Sequence, residues 1–275
     1  MLSKEATIET ISRKGLFQGD RPHTADILGV RVDLVDYDET MGKIDNAIRY
    51  KSKITIGFSN VYTVMCSQYD HELYNAINGF SLSVADGMPL VWLSKFTDTP
   101  LQSRVYGPDL FLHVCARSEE KKYRHFFYGS ETRVLDLLEE NLTHHFPKLH
   151  IAGKISPPFR PLSAHEEQHF IDEINNAHAD ILWIAIGSPK QEKWMARVRP
   201  LLNVPVLAAV GAAFDFHAHT KRQAPPSIRN HGFEWLFRLL YEPRRLWMRY
   251  LIYNPLFVLS IMRRVIRKFL QVLRT

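Results

Sequence analysis

An aspartate follows directly on a short apolar run near residue 85 of the chain. The stretch LSVADG (residues 82–87) places the carboxylate of Asp86 where a buried strand should end. An aspartate has a reference pKa of about 3.9, so it is ionised at neutral pH and can take the proton of a substrate hydroxyl. The same position also suits the N-cap of the next helix. Asp86 is therefore a candidate general base, with helix capping as the alternative.

A second motif, HEEQH at residues 165–169, contains the residue types of a zinc site. His165 and His169 would share one helix face, and Glu166 would act as the base of a zinc hydrolase. The apolar residues that follow mark a different face of the same predicted helix, and no third metal ligand follows in the sequence. We interpret the motif as a chance match and keep the zinc hydrolase as an alternative.

The sequence DYD (residues 36–38) resembles the paired aspartates that hold a divalent ion in many sugar transferases. We favour a structural interpretation, in which Asp38 caps a helix that begins at Glu39. The fingerprints of dinucleotide, NTPase and α/β-hydrolase sites do not occur in the sequence. The sequence therefore gives no support to those three classes.

Short apolar segments alternate with helical patterns along the chain, as in proteins built from βαβ units. We predict strands at 27–33, 53–59, 81–85, 125–129, 149–153, 180–187 and 205–211. Helical patterns occupy 39–51, 61–78, 88–96, 108–118, 131–146, 164–177 and 189–199. The alternation predicts an α/β fold: a Rossmann-like, mostly parallel sheet with helices on both faces, plus a basic helical C-terminal appendage.

Several of the predicted strands end on or next to a glycine, at Gly87, Gly129, Gly187 and Gly211. Ligands of such sheets bind beyond the carboxyl ends of the strands. Glycine there lets the backbone approach a ligand, and the next helix offers free N–H groups to an anion. The pattern predicts a phosphate-bearing ligand.

Charge and composition narrow the class of protein. The 275 residues are 45% hydrophobic and 23% charged, which is typical of a globular chain. Residues 229–275 hold ten lysines and arginines against two acids, so this segment carries +8 and the remainder carries −2. A body without excess positive charge is not expected to bind nucleic acid.

These patterns predict three regions: an N-terminal extension (1–26), an α/β body (27–222) and the C-terminal appendage (223–275). No signal peptide and no membrane-spanning segment are expected. The two cysteines have neither metal-ligand nor disulfide spacing, which fits a reducing compartment. We expect a cytoplasmic protein.

After Pro255 the appendage divides into an apolar and a basic face at helical spacing. The apolar face holds Met262, Val265, Ile266, Phe269, Val272 and Leu273, and the basic face holds Arg263, Arg264, Arg267, Lys268 and Arg274. A helix of this kind lies in the interface of an anionic bilayer. We expect residues 229–275 to bind an anionic membrane surface peripherally. The alternatives are a helix packed on the body, a dimer contact, or a non-catalytic membrane adaptor.

Seven motifs, in order and spacing, resemble the WecG/TagA/CpsF glycosyltransferases, glycosyltransferase family 26. They are ADGMPLVW (85–92), RVYGPDL (104–110), FFYGS (126–130), PPFRPL (157–162), IGSPKQEKWM (186–195), AVGAAFDF (209–216) and GFEWLFRLLYEPRRLWMRYL (232–251). The resemblance covers roughly residues 27–251. It implies an inverting enzyme, without metal or other cofactor, on the inner face of the bacterial cell membrane. That enzyme would move a sugar from a UDP-sugar to a polyprenyl-diphosphate-linked saccharide in surface or exopolysaccharide synthesis.

The resemblance also implies roles for residues of this chain. It makes Asp86 the general base and implies catalytic roles for Asn60, Gln191, Arg238 and Arg245, the two arginines folding over the site with the appendage. It implies a substrate- or nucleotide-binding group made of Gly87, Arg104, Gly129, Ser130, Gly187, Lys190, Glu192 and Asp215. The alternatives are a surface ion pair for Arg104, a buried structural acid for Asp215, and lipid-headgroup binding alone for Arg238 and Arg245.

Two positions depart from the family pattern. Phe58 stands where a threonine is usual, which removes a hydroxyl from the presumed acceptor pocket and leaves the donor and acceptor sugars open. The third arginine expected in the appendage falls on Met248, with Arg249 next to it. Only two of the three arginines therefore match.

Overall fold

The computed structural model describes residues 17, 19–20 and 23–272 of the chain. Its strands are β1 (Thr24–Ile27), β2 (Val30–Asp33), β3 (Ile54–Ser59), β4 (Leu82–Ala85), β5 (Arg124–Gly129), β6 (His150–Ile155), β7 (Ile181–Ala185) and β8 (Val206–Ala209). They form an eight-stranded sheet with the order β1-β2-β4-β3-β8-β7-β5-β6. β1 and β2 pair antiparallel, and the other neighbours pair parallel.

The helices of the body connect these strands. They are α1 (Tyr37–Tyr50), α2 (Val61–Ser67), α3 (His71–Gly79), α4 (Met88–Ser94), α5 (Gly107–Lys121), α6 (Thr132–His145), α7 (Ala164–Asn176), α8 (Lys190–Val198) and α9 (Ala213–His217). The appendage contains α10 (Pro226–Arg229), α11 (Glu234–Tyr241), α12 (Pro243–Trp247), a π-helical turn (Met248–Ile252) and α13 (Tyr253–Val272).

Two hydrophobic cores lie on opposite faces of the sheet, because side chains alternate between the faces along a strand. In β5, Phe126 and Tyr128 contact one core and Phe127 contacts the other, and Leu182 and Trp183 of β7 divide in the same way. Helices α2, α3, α4, α7 and α8 cover the first face, and α1, α5, α6 and α9 cover the second. The predicted α/β class, with a mostly parallel sheet between helices, is confirmed.

The strand predicted at 27–33 is a hairpin in the structure. Its turn residues, Leu28 and Gly29, have φ angles of 54° and 83°. Positive φ at both central residues is the geometry of a two-residue hairpin turn. The side chain of Asp26 supports this turn by accepting a hydrogen bond of 3.0 Å from the N–H of Gly29.

The helix predicted at 61–78 is two helices. α2 ends at Ser67, and α3 begins at His71 after a short break. Asp70 caps the second helix by accepting a hydrogen bond from the N–H of Leu73, which gives the chain a favourable point to start again.

The appendage packs on the body through one face of α13. Phe257 is buried in the first core, and the ring of Tyr253 lies edge-on to Tyr62 of α2 with 5.2 Å between centroids. Arg264, which the sequence places on a basic outer face, instead forms an ion pair with Asp26 of β1. The two-faced prediction is therefore wrong for Arg264. The opposite side of the helix exposes apolar side chains: Val258, Leu259, Met262, Ile266, Phe269 and Leu270.

The division into three regions stays a prediction. Most of the N-terminal extension lies outside the described residues, as do Leu273 and Arg274 and the side chain of Val272. Within residues 23–272, no helix combines the length and the apolar composition that crossing a bilayer requires.

Candidate active site

A cleft of about 850 Å³ opens at the carboxyl ends of the central strands. Residues that follow β3, β4, β5, β7 and β8 line it from the body. The appendage contributes Glu234, Arg238, Arg245 and Arg249. The position is that of the ligand site in open parallel sheets. Body and appendage therefore build the cleft together.

Asp86 follows β4, and its side chain lines this cleft. It does not cap α4, whose N-cap is Gly87; its Oδ1 accepts a hydrogen bond of 3.2 Å from the N–H of Gly107, at the start of α5. Burial raises the pKa of Asp86 to about 6. The positive charge of Arg104 opposes this increase, and the negative charge of Glu234 adds to it. The alternative that Asp86 caps the next helix is therefore wrong, and its role as the general base stays a prediction.

Glu234 ties the appendage to the wall beside Asp86. Its two carboxylate oxygens accept hydrogen bonds from Arg104 Nη2 (2.6 Å) and from the Tyr106 hydroxyl (2.9 Å). Arg104 also donates to the backbone oxygen of Asp86 at 3.1 Å. The side chains of Arg104 and Glu234 are only 12% and 11% exposed. Arg104 therefore anchors the appendage and does not line the cleft, so this geometry does not place it against a phosphate.

The start of α8 supplies a polar cleft floor made of Ser188, Gln191 and Glu192. Ser188 Oγ donates to Glu192 Oε1 at 2.7 Å. Gln191 Nε2 donates to the same oxygen at 3.3 Å and to the backbone oxygen of Ala209 at 3.1 Å. Burial raises the pKa of Glu192, opposed by the hydrogen bond from Ser188. Lys190, by contrast, lines a separate cavity of about 370 Å³ beside the loop 157–162.

Three rim arginines, Arg238, Arg245 and Arg249, project from the appendage to the cleft. The buried Nε atoms of Arg238 and Arg249 have no hydrogen-bond partner within the described chain. Arg245 is half exposed and pairs with Glu242 at 2.6 Å. Met248 is half exposed and does not line the cleft. Arg249 thus lines the cleft, and Met248, where the family resemblance places the third arginine, does not.

Arg245 and Arg249 are four residues apart in the helical stretch that runs from α12 into the π-helical turn, so they share a face. Arg238 lies on α11, before the break at Glu242 and Pro243. The spacing of four from Arg245 is the local signal in the sequence for Arg249. The guanidinium of Arg249 also lies over the ring of Tyr62, 4.5 Å from its centroid, which fixes it against the body.

The comparison with known proteins decides the family. A model of the glycosyl transferase WecG/TagA/CpsF family matches residues 25–270. The chain belongs to this family. The predicted resemblance is therefore confirmed over nearly the whole of the described chain.

Two relatives in the family bear the name N-acetylglucosaminyldiphosphoundecaprenol N-acetyl-beta-D-mannosaminyltransferase. The chain is 32% identical over 166 residues to the protein of Bacillus spizizenii (strain W23), covering 60% of this chain and 62% of that relative. It is 27% identical over 194 residues to the protein of Bacillus subtilis (strain 168), covering 70% and 73%. The chain thus spans about three fifths of the length of the first relative.

Two further residues named by the family resemblance, Asn60 and Gly87, meet where β3 and β4 end. Asn60 caps α2 because its Oδ1 accepts hydrogen bonds from the N–H groups of Tyr62 and Thr63. A Cβ atom on Gly87 would lie 3.2 Å from Cβ of Asn60, so glycine lets the two strand ends approach. The cap fixes Asn60 at the cleft wall, and Gly87 acts through packing without lining the cleft.

The residues after β5 and β7 differ in what they offer a ligand. A Cβ atom on Gly129 would lie 2.5 Å from the backbone carbonyl of Ala185, so strand packing requires this glycine and it does not line the cleft. Gly187 has a φ of 86° and faces open space, so its backbone is open to close approach by a ligand. Ser130 also lines the cleft.

Asp215 lies on α9 at the edge of the cleft. Its Oδ2 accepts a hydrogen bond of 2.9 Å from Lys221 Nζ, and its Oδ1 accepts one of 3.3 Å from Thr220 Oγ1. The carboxylate is partly exposed, so its contact with a ribose or a base stays a prediction.

The HEEQH motif is the start of a helix and does not form a zinc site. Ser163 caps α7, and Glu166 completes the capping box and pairs with Arg160 at 2.6 Å. His165 and His169 are both exposed. In the part of the chain that the structure describes, no group of three His, Cys, Asp or Glu side chains is placed to hold a metal ion.

The DYD motif caps a helix, though not through Asp38. Asp36 is the N-cap of α1, and its Oδ1 accepts a hydrogen bond of 2.9 Å from the N–H of Glu39. Glu39 Oε2 accepts one of 3.0 Å from the N–H of Asp36. The predicted cap at Asp38 is wrong, because this reciprocal capping box starts the helix at Tyr37.

Proposed function

We propose that the protein is an inverting glycosyltransferase that moves a hexosyl or N-acetylhexosaminyl group from a UDP-sugar to a polyprenyl-diphosphate-linked saccharide. One observation carries the proposal: the desolvated carboxylate of Asp86 shares a cleft with the three rim arginines. The reaction needs both features. The acceptor hydroxyl loses its proton on one side of the anomeric carbon of the transferred sugar, while the diphosphate gains negative charge on the opposite side.

The proposed step is a single displacement. The acceptor hydroxyl oxygen forms a bond to the anomeric carbon of the donor, and the bond from that carbon to the diphosphate breaks on the opposite side. Asp86 takes the hydroxyl proton, and UDP leaves with the bonding electron pair. Because the pKa of Asp86 is about 6, most of the carboxylate is ionised at pH 7 and still basic enough to accept this proton.

The rim arginines neutralise the departing diphosphate in this proposal. A guanidinium group is always charged and can bind two phosphate oxygens at once. The Nε atoms of Arg238 and Arg249 have no hydrogen-bond partner within the described chain, so the protein does not saturate these two guanidinium groups, which line the cleft. With this charge in place, the proposed reaction does not require a divalent cation.

The acceptor class follows from the relatives. Both are named for an N-acetylglucosaminyldiphosphoundecaprenol, so we place a polyprenyl-diphosphate-linked saccharide in the same role here. Phe58 lines the cleft beside Gly107, where a Cβ atom would lie 3.4 Å from its ring. An aromatic ring in place of the usual hydroxyl changes the sugar contacts, so the sugars need not be those of the relatives.

A lipid-linked acceptor stays in the bilayer, so the enzyme must reach an anionic membrane surface on the cytoplasmic side. Residues 229–272 support this role, because they expose large apolar side chains: Leu240, Tyr241, Trp247, Leu251, Val258, Leu259, Met262, Ile266, Phe269 and Leu270. Arg244, Arg263 and Arg267 are exposed as well. Each basic residue near an anionic surface contributes about 1 kcal/mol. Apolar insertion and basic attraction together favour peripheral binding.

A non-catalytic membrane adaptor would use the same outer side of the appendage. It would need neither a desolvated carboxylate nor buried guanidinium groups that face a cleft. The ion pair of Glu234 with Arg104 links the appendage to the wall beside Asp86. The transferase therefore accounts for more of the structure.

Calorimetric titration with UDP, ADP and GDP, with and without EDTA, tests the proposal on the wild type and on Asp86→Asn. We expect UDP-selective binding that survives both EDTA and the substitution, because Asp86 acts on the acceptor. Equal affinity for the three nucleotides would favour the adaptor. Loss of UDP binding in EDTA would favour a metal-dependent transferase.

A further inference from the structure

The cleft floor contains two buried oxygen atoms that accept no hydrogen bond. They are Gln191 Oε1 and Glu192 Oε2, on side chains that are only 5% and 3% exposed. Both residues line the cleft. Buried acceptors are normally satisfied, so two adjacent exceptions in one cleft indicate that a ligand supplies the missing donors.

The orientation of both groups is fixed by bonds to the protein. Gln191 Nε2 donates to the backbone oxygen of Ala209 and to Glu192 Oε1, and neither atom can donate in return. The amide oxygen of Gln191 must therefore be the free atom. Ser188 Oγ donates to Glu192 Oε1, which leaves Oε2 as the free oxygen of the carboxyl group. The floor thus presents the amide oxygen of Gln191 as an acceptor at a fixed position, with the free carboxyl oxygen of Glu192 on the neighbouring residue.

Hydrogen-bond chemistry makes the floor a poor place for a phosphate. The oxygens of a diphosphate link only accept hydrogen bonds, and they would face the free amide oxygen of Gln191, which also only accepts. The rim arginines line the same cleft and offer donors. A phosphate group is therefore better placed at the rim arginines, and a neutral group with O–H or N–H donors is better placed on the floor.

We propose that Gln191 and Glu192 bind the hydroxyl or amide donors of the sugar that is transferred, and that they select the donor sugar. This inference rests on the proposed glycosyl transfer and deepens it. Vicinal hydroxyl groups also occur on the ribose of UDP. We assign the floor to the transferred sugar because Asp215, at the edge of the same cleft, is the residue predicted to contact the ribose or the base.

The test compares binding of UDP with binding of UDP-N-acetylglucosamine, UDP-N-acetylmannosamine, UDP-glucose and UDP-galactose by calorimetry. In the wild type we expect at least one UDP-sugar to bind more tightly than UDP. Glu192→Gln keeps the shape of the side chain but replaces an acceptor by a donor at the free position. We expect Glu192→Gln to weaken binding of that UDP-sugar about tenfold and to change the affinity for UDP less than twofold.

Two further variants control this test. Glu173→Gln makes the same chemical change on the exposed side of α7 and should alter neither affinity. Ser188→Ala removes the hydrogen-bond donor that orients Glu192. It should therefore weaken binding of the same UDP-sugar about threefold and leave the affinity for UDP unchanged. Thermal unfolding of each variant verifies that it is folded, and Ser188→Ala keeps the test decisive if Glu192→Gln does not fold.

Several results would overturn the inference. If Glu192→Gln weakened the binding of UDP and of the UDP-sugar equally, the floor would be assigned to the ribose. No change in either affinity, or no UDP-sugar that binds the wild type better than UDP, would show that the floor does not recognise the transferred sugar. Failure of the wild type to bind UDP at all would instead refute the proposed function, and the inference would fall with it.

Discussion

Glu234→Ala should detach the appendage from the wall beside Asp86. The substitution removes both acceptors of the Arg104 and Tyr106 hydrogen bonds, at 2.6 and 2.9 Å, and leaves the guanidinium of Arg104 almost buried without its partner. Breaking a buried ion pair from one side costs about 3–5 kcal/mol. Because both side chains retain some exposure, we expect about 3 kcal/mol. At about 2–4 °C per kcal/mol for a chain of this size, Tm should fall by about 6–12 °C.

The matched control is Arg197→Ala, which breaks the pair with Glu167 at the same 2.6 Å separation. Arg197 is 62% exposed, so this loss should cost about 0–1 kcal/mol. Thermal unfolding by circular dichroism measures both variants. A Tm decrease for Glu234→Ala no larger than that of the control would refute the anchoring role of Glu234.

The same substitution should shift the pH dependence of activity. The negative charge of Glu234 raises the pKa of Asp86, and Arg104 lowers it. Without Glu234, the first effect disappears and the second is no longer neutralised by an ion pair, so the pKa of Asp86 should fall. We expect the acid limb of kcat/KM to move to lower pH than in the wild type. An unchanged limb would contradict the electrostatic coupling of Glu234 to Asp86.

Three further predictions concern the base, the rim and the outer side of the appendage. For the wild type, kcat/KM should decrease as pH falls through about 6, where Asp86 becomes protonated. Asp86→Asn should lower the rate about 10²–10⁴-fold and should lose this acid limb. A wild-type profile that stays flat to pH 4 would contradict the assignment of Asp86 as the base. Arg249→Gln should lower kcat/KM about 10- to 100-fold, since a charged hydrogen bond contributes about 1.5–3 kcal/mol. Met248→Gln should have little effect in the same steady-state assay. Equal losses in the two variants would refute the placement of Arg249 at the cleft. Exchange of the exposed Met262 and Ile266 for glutamate should reduce sedimentation with anionic vesicles and leave Tm unchanged; unaltered sedimentation would remove this surface from the membrane contact.

Much of the fold could be predicted from the sequence because the periodicity of apolar residues and the glycines at strand ends are local signals. The alternation of apolar runs and helical patterns predicted the parallel sheet, since a buried strand such as ILWIA in β7 is apolar at every position. The hairpin at Leu28–Gly29 was missed because its turn lies inside a continuous apolar and β-branched segment. A one-dimensional pattern does not distinguish that turn from a strand.

The candidate site shows the same division between local and long-range information. Asp86 could be predicted because it follows an apolar run at a strand end, whereas Gln191 was implied by the family resemblance of the motif IGSPKQEKWM. The bond from Arg104 to Glu234 joins positions 130 residues apart, and no local pattern indicates it. Packing of α13 on the body was one of the alternatives, but the inward position of Arg264 was missed. A basic residue is expected to face solvent unless the chain supplies an acid at the right place.

The most direct test of the central claim is a single-turnover transfer assay. A labelled UDP-sugar that binds the wild type is mixed with undecaprenyl-diphosphate-linked N-acetylglucosamine in anionic vesicles, using the wild type and Asp86→Asn. The account predicts transfer of the label to the lipid by the wild type, with inverted anomeric configuration, and a loss of at least about 100-fold in Asp86→Asn at unchanged UDP affinity. Undiminished transfer by Asp86→Asn, or retained configuration in the product, would contradict it.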